Sequence, residues 1–290
     1  MRRRSTVSPD LTIGQALMQG IKLLTDEKVD PPRLTAELLL MHALRKERVF
    51  LFSHSGDPLP ELAWIHYGRY LHERISGKPL QYITGKQEFY TRDFKVQPGV
   101  LIPRPETEHL IELILNLPKP IGTIADAGVG SGAICVTLAA ELRQPVIGLD
   151  KSPIALTVAA ENAKRHNATV NLIQSDWLSA LKPKSLDLLV SNPPYIALTD
   201  KPTLQREVRD HEPDLALFAG NDGQDAYRIL EVQAREVLKP GGRIVLEIGN
   251  LATKEIFENW QDIQIQNDLA GRPCLLTAIL PQAPNFARAK

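Results

Sequence analysis

The sequence predicts an α/β protein: a mainly parallel sheet covered on both faces by helices and preceded by a small helical bundle. Three observations carry this. Beyond Ile121, short apolar strand-like runs alternate with amphipathic helical stretches, and such alternation builds a parallel sheet wound on both sides. A glycine-rich turn, Gly128-Val129-Gly130-Ser131-Gly132, stands at the first strand-to-helix junction of that region. Before residue 76 the apolar residues recur at helical spacing.

In chain order, Leu11, Ile13, Leu17, Ile21 and Leu24 mark a first amphipathic helix that Asp10 or Thr12 would cap. Pro31-Pro32 interrupts, and Arg33 to Leu44 forms a second helix. Pro60 to Ile75 gives a third, or a pair of short ones. Arg33, Glu37 and His42 on these faces are expected in solvated or capping roles. Residues 1–76 thus form a helical domain, taken as the one that recognises the substrate, and 77–100 a bridge. In the bridge, Gln81 to Gly85 and Glu88 to Val96 read as a hairpin turning at Thr91-Arg92-Asp93. Residues 101–290 form the main domain. A helix follows Leu101 to Glu108, where Arg104 and Glu106 suit ligand contact and helix initiation equally. Strands are expected at Thr123 to Ala127, Pro145 to Leu149, Val170 to Gln174, Leu186 to Val190 and Arg243 to Ile248. Helices are expected at Ala133 to Glu141, Ile154 to His166, Asp225 to Leu238 and Thr253 to Trp260, with Cys274 to Leu280 as a closing edge strand.

Composition excludes several functions. Lys plus Arg and Asp plus Glu both number 34, so no net charge draws the protein onto a polyphosphate, which disfavours a dedicated duplex-DNA binder. Cys135 and Cys274 are too few and too far apart for a zinc cluster; they read as small core residues in a reducing compartment, and no metal is expected. Arg2-Arg3-Arg4 is followed at once by Pro9 and Asp10, so a frayed basic terminus is expected in place of a targeting peptide. No apolar run approaches membrane-spanning length, and a soluble, cytoplasmic protein is expected.

The chemistry concentrates after four successive strands. Three alternate glycines after Asp126-Ala127 let the backbone approach a ligand, beside the free N–H donors of a helix N-terminus. Their G-x-G-x-G spacing differs from the dinucleotide fingerprint, and no P-loop Lys-Ser/Thr follows. Asp150 closes the second strand where an acid conventionally accepts from ribose hydroxyls, although it could equally cap the helix that starts at Ser152-Pro153. Asp176-Trp177, after the third strand, offers an acid and an aromatic face to an adenine ring. After the fourth come Asn192-Pro193-Pro194-Tyr195. Two prolines stiffen the backbone there and leave carbonyls free, while Asn192 and Tyr195 supply an amide and a flat ring, so a planar group bearing an NH2 would fit.

These motifs resemble those of class I methyltransferases that use S-adenosylmethionine and methylate an amide or exocyclic nitrogen. Gln81 to Gly85, Leu101 to Glu108, Ser191 to Ile196, Glu212-Pro213, Ala216 to Gly220 and Asp222-Gly223 further resemble the HemK/PrmC family of protein-glutamine methyltransferases, across essentially the whole chain. Arg33 to His42 resembles its release-factor-modifying branch. The resemblance implies methylation of the glutamine in the Gly-Gly-Gln motif of class I peptide release factors. It places the cofactor on Gly128, Val129, Gly130, Ser131, Gly132, Asp150, Asp176, Trp177 and Asn192. The substrate glutamine falls to Asn192, Pro193, Pro194 and Tyr195, with Asn192, Pro193 and Tyr195 as the catalytic group. Release factor is then the partner of a monomer that touches neither nucleic acid nor membrane. Ala127 and Val129 depart from the family's usual Leu and Thr, Lys151 follows the ribose acid, and Gln224 replaces a common Leu. Ribosomal-protein glutamine methylation and adenine-N6 methylation of DNA or RNA remain as alternatives; the latter calls for a basic groove and an extruded base.

Overall fold

The computed structural model describes residues 11–268 and 270–282, which divide into two compact units. Arg2-Arg3-Arg4 and the alternative cap Asp10 lie outside the described residues. Among those described, no helix is long and apolar enough to cross a membrane.

The first unit comprises residues up to Gly85 together with the short helix Arg206–His211. Helix α1 (Ile13–Asp26) starts on a reciprocal capping box: Thr12 Oγ1 accepts from the Gln15 N–H at 3.2 Å, and Gln15 Oε1 accepts from the Thr12 N–H at 2.9 Å. Helix α2 (Pro32–Leu44) begins on a proline, tolerated where the N–H would lack a partner anyway, and stops at left-handed Arg45. Helices α3 (Arg48–Ser53), α4 (Glu61–Ile75) and α5 (Leu80–Thr84) follow, with α4 a single helix. Leu17, Leu24, Leu39, Leu40 and Tyr67 form the centre of the bundle. Gly20 lets α1 approach α4 closely, since a Cβ there would lie 1.9 Å from the Tyr67 hydroxyl oxygen. Glu37 is not solvated as expected but fully buried, clamped by Arg33 at 3.0 Å and Arg48 at 2.7 Å. Gln81 to Gly85 is likewise not a strand. Ile83 and Leu80 pack on the helical core, and that burial overrides the β-preference of the segment until Gly85, at φ 75, ends the turn.

The second unit runs from Lys86 to Gln205 and resumes at Glu212. It opens with an antiparallel hairpin, β1 (Lys86–Phe89) and β2 (Arg92–Lys95). The chain turns at Tyr90-Thr91, ahead of the expected position, with both residues at positive φ as a tight hairpin turn requires. Helix α6 (Glu108–Leu115) follows a single 3-10 turn over Pro105–Thr107. A seven-stranded sheet is ordered β5-β4-β3-β6-β7-β9-β8. Strands β3 (Ile124–Ala127), β4 (Val146–Asp150), β5 (Val170–Gln174), β6 (Leu186–Ser191) and β7 (Leu238–Glu247) run parallel. Helices α7 (Ala133–Leu142), α8 (Pro153–Arg165) and α9 (Asp225–Val237) lie among them in sequence, as the alternating pattern predicts.

The far end of the sheet corrects one expectation. β9 (Pro273–Ile279) is not an edge strand: it lies between β7 and β8 (Gln261–Asn267), antiparallel to both. Its interior residues are buried throughout, whereas β8 is polar except at Ile263 and Ile265 and closes the sheet as a half-exposed edge. The helix before β8 is also shorter than expected, ending at Ile256.

The chain walks outward from β3 to β5 and returns to β6 on the other flank of β3. Such a reversal opens a crevice at the carboxyl ends of the central strands, where α/β sheets hold their ligands.

Candidate active site

A cavity of about 420 Å³ opens at that crevice, within the size range of small-molecule sites. Gly128, Val129, Gly130 and Ser131 line it after β3, Asp150 at the end of β4, Asp176 and Trp177 after β5, and Asn192 and Pro194 after β6. Four motifs from four strand ends thus share one wall. Gly132, Pro193 and Tyr195 are not part of that wall.

The glycine loop is tied to the neighbouring strand end: the N–H groups of Gly128 and Val129 both donate to Leu149 O, at 2.8 and 3.0 Å. Gly130, at φ 55, needs its glycine, and a Cβ there would meet no atom within 4 Å, so the loop leaves open space for a ligand. Gly132 serves packing instead: a Cβ would come within 3.2 Å of Ala159 on α8. Val129 is almost fully buried, with Cγ2 against Gly148, so its side chain serves the core where a threonine would carry a hydroxyl.

Asp150 ties the glycine loop to the start of α8. One carboxylate oxygen accepts from the Gly130 N–H at 2.9 Å, the other from the Ser152 N–H at 2.8 Å at the start of α8. Burial pushes its carboxyl up, and these N–H groups pull it back. Each oxygen keeps a second acceptor direction for a ligand hydroxyl. Trp177 holds a left-handed backbone, φ 53, with its ring beside Gly128. A bulky residue in that conformation points to a local constraint of the kind that accumulates at binding sites. Asp176 pairs only loosely with Lys151, 3.6 Å away at an exposed rim, where such a pair adds little stability.

Asn192 emerges half-buried from β6, and its Nδ2 donates to Thr107 Oγ1 at 3.0 Å. The Thr107 hydroxyl donates in turn to Glu247 Oε2 at 2.7 Å. Glu247 ends β7 and is 5% exposed; burial pushes its carboxyl up to about 7, against the Thr107 hydrogen bond. Pro193 is buried. Tyr195 packs on the sheet's core against Gly249, and burial raises its hydroxyl to about 12. The backbone resumes hydrogen bonding at Ile196, whose N–H donates to Leu217 O at 3.0 Å. Arg104 lines the cavity and holds buried Glu212 at 2.5 Å, while Glu106 is exposed.

Thr107, Glu212 and Glu247 escaped the sequence reading as site residues. Thr107 lies inside the Leu101 to Glu108 stretch, where a neutral hydroxyl between charged neighbours carries no signal of its own. The only signal for Glu247 was an acid ending an apolar strand beside the one that delivers Asn192.

Comparison with known proteins covers both units. Residues 15–85 match the PrmC N-terminal domain, and residues 119–279 match a methyltransferase domain. The chain is 43% identical over 278 residues to the release factor glutamine methyltransferase of Koribacter versatilis, covering 93% of this chain and 99% of the relative. It is 44% identical over 273 residues to the corresponding protein of Moorella thermoacetica, covering 90% and 96%. Among solved structures, a methyltransferase from Pyrococcus furiosus superposes with a TM-score of 0.51 at 16% identity, over 74% of this chain and 99% of that one, a likeness of fold. The fold, the shared cavity wall and these full-length identities together make the chain a member of the release factor glutamine methyltransferase family.

Proposed function

We propose that this chain transfers the methyl group of S-adenosylmethionine to the side-chain amide nitrogen of the glutamine in the Gly-Gly-Gln motif of class I release factors. One observation carries the reading most of the way: the Asn192 amide nitrogen is engaged by Thr107, which leaves its oxygen as the acceptor at the cavity. The residues present fit the methyl donor. The glycine loop leaves open space at Gly130, Asp150 has acceptor directions for ribose, and Asp176 and Trp177 offer an acid and a ring to adenine. When bound, S-adenosylmethionine supplies a sulfonium-activated methyl group, so the chain's own task is to bind, orient and exclude water.

An amide nitrogen is a weak nucleophile because its lone pair is shared with the carbonyl. Asn192 Oδ1 accepts a hydrogen of the substrate NH2 at the cavity wall and directs its nitrogen into the cavity, and the Pro193 carbonyl, set back from that wall, takes the second hydrogen only if the substrate amide reaches past the lining. Fixing reactants at near-attack distance is worth several kcal/mol, about 7 to 11 in favourable models, with no charged base. The same acceptor dipoles stabilise positive charge as it grows on nitrogen. Tyr195 backs this corner from the core side and keeps water out.

In place of the boundaries expected at 76 and 100, the helical unit that ends at Gly85 recognises the release factor and the sheet unit that begins at Lys86 carries the chemistry, in a cytoplasmic monomer that acts on the protein without touching nucleic acid. The test is direct. After incubation with release factor and S-adenosylmethionine, mass spectrometry should find one methyl group on the Gly-Gly-Gln glutamine. A methyl group elsewhere, or none, overturns the reading.

A further inference from the structure

Asn192 serves as an acceptor only while its amide keeps one of two orientations, since exchanging Oδ1 and Nδ2 would present a donor to a substrate that itself donates. The groups behind it decide which. A hydroxyl has a single proton. Thr107 gives that proton to Glu247 Oε2, 2.7 Å away, so it has only lone pairs for Asn192 and receives the Nδ2 hydrogen at 3.0 Å. A flipped amide would set oxygen against oxygen. The Asn192 amide also faces the carboxylate itself, which attracts its NH2 and repels its oxygen. The placement is structural: β7 pairs with β6 so that Leu246 lies opposite Ser191, and the next residue on each strand is Glu247 and Asn192.

We propose that Glu247, acting through Thr107, is the positioning residue that fixes the Asn192 amide with its oxygen toward the substrate. The proposal rests on the acceptor role given to Asn192 above. Glu247 does this as the carboxylate. Once protonated, it offers a hydrogen of its own to Thr107, which frees the Thr107 proton for Asn192 Oδ1 and lets the amide turn. Its carboxyl is raised to about 7 by burial, and the other charged or titratable groups around it are Arg104, Glu106, Tyr195, Tyr227 and Cys274. The acceptor corner is therefore ordered above about pH 7 and loosens as the pH falls through that value.

Asparagine-selective ¹⁵N labelling of the full chain reads the Asn192 side-chain NH2 directly, with Asn192→Ala identifying the signal. In the wild type the signal should follow pH with a midpoint near 7, and in Glu247→Gln it should not. Misaligning an acceptor costs roughly 10²-fold, so kcat on release factor should fall by about that factor in Glu247→Gln while the cofactor Kd stays put. The wild-type decline of kcat at low pH should vanish in the variant. Thr107→Ser should restore what Thr107→Val loses, which separates positioning from folding. A pH-independent Asn192 signal in the wild type overturns the proposal, as does loss of turnover in Glu247→Gln that merely tracks loss of cofactor binding. An Asn192 signal that follows Glu247 while turnover of the variant is unchanged supports the positioning and overturns the acceptor role of Asn192.

Discussion

In the proposed reading, individual side chains at the cavity wall divide the labour between holding the donor and presenting the amide. Asn192→Ala removes one acceptor and leaves the glycine loop and Asp150 intact. Turnover should drop by about 10²-fold or more, because alignment is the main catalytic device, while cofactor affinity measured by calorimetry remains. Asp150→Ala should do the reverse. The Asp150 carboxylate organises the Gly130 and Ser152 N–H groups, and in the proposed role it also accepts from the ribose; hydrogen bonds to a charged group are worth about 1.5–3 kcal/mol each, so its removal should raise the cofactor Kd by roughly 10- to 100-fold. The glycine loop, Asp150, Asp176-Trp177 and Asn192 were all legible in the sequence because each follows its own strand. Thr107 and Glu247 were not: they lie 140 positions apart and become partners only once α6 and β7 are placed.

Among the elements, those with a clear local apolar pattern were legible and those set by tertiary context were not. α1, α2 and the five parallel strands follow from local apolar spacing. α5 does not, because Gln81-Tyr82-Ile83-Thr84 has the composition of a strand and is made helical by what it packs on. β8 was missed because two isoleucines among glutamines and an aspartate give too weak an alternation to mark an edge. Helix packing also yields a test. Gly20→Ala would drive a methyl group into Tyr67, which is fully buried and has no room to retreat. Overpacking of this kind costs about 1–3 kcal/mol, to be read as a lower urea midpoint with unchanged slope.

For the whole molecule, the acids at the sheet's carboxyl edge set a pH dependence of stability. Asp126, fully buried with Oδ2 accepting from the Cys135 N–H, is raised by burial to about 7 from an ordinary 3.8. A carboxyl whose folded value lies above its unfolded one contributes stability that is fully present below the unfolded value and is lost as the pH rises through the folded one. The stability of the wild type relative to Asp126→Asn should therefore decline between about pH 4 and pH 7 and level off above. Urea titrations across that range measure it, and a flat difference would contradict the burial argument. The fold class was legible at this scale because alternating strands and helices allow few sheet topologies. The insertion of β9 was not, since nothing in a buried apolar run says which neighbours it will find.

That insertion bears on how the protein is made. As synthesis proceeds from the N-terminus, β8 leaves the ribosome with no partner, because the strand it pairs with comes after it. Until Pro273–Ile279 arrives, the nascent sheet ends at β7, whose free flank is open to any other extended chain. A message truncated after Asn267 would leave that flank open for good, so the shortened product should form inclusion bodies instead of a weakened enzyme.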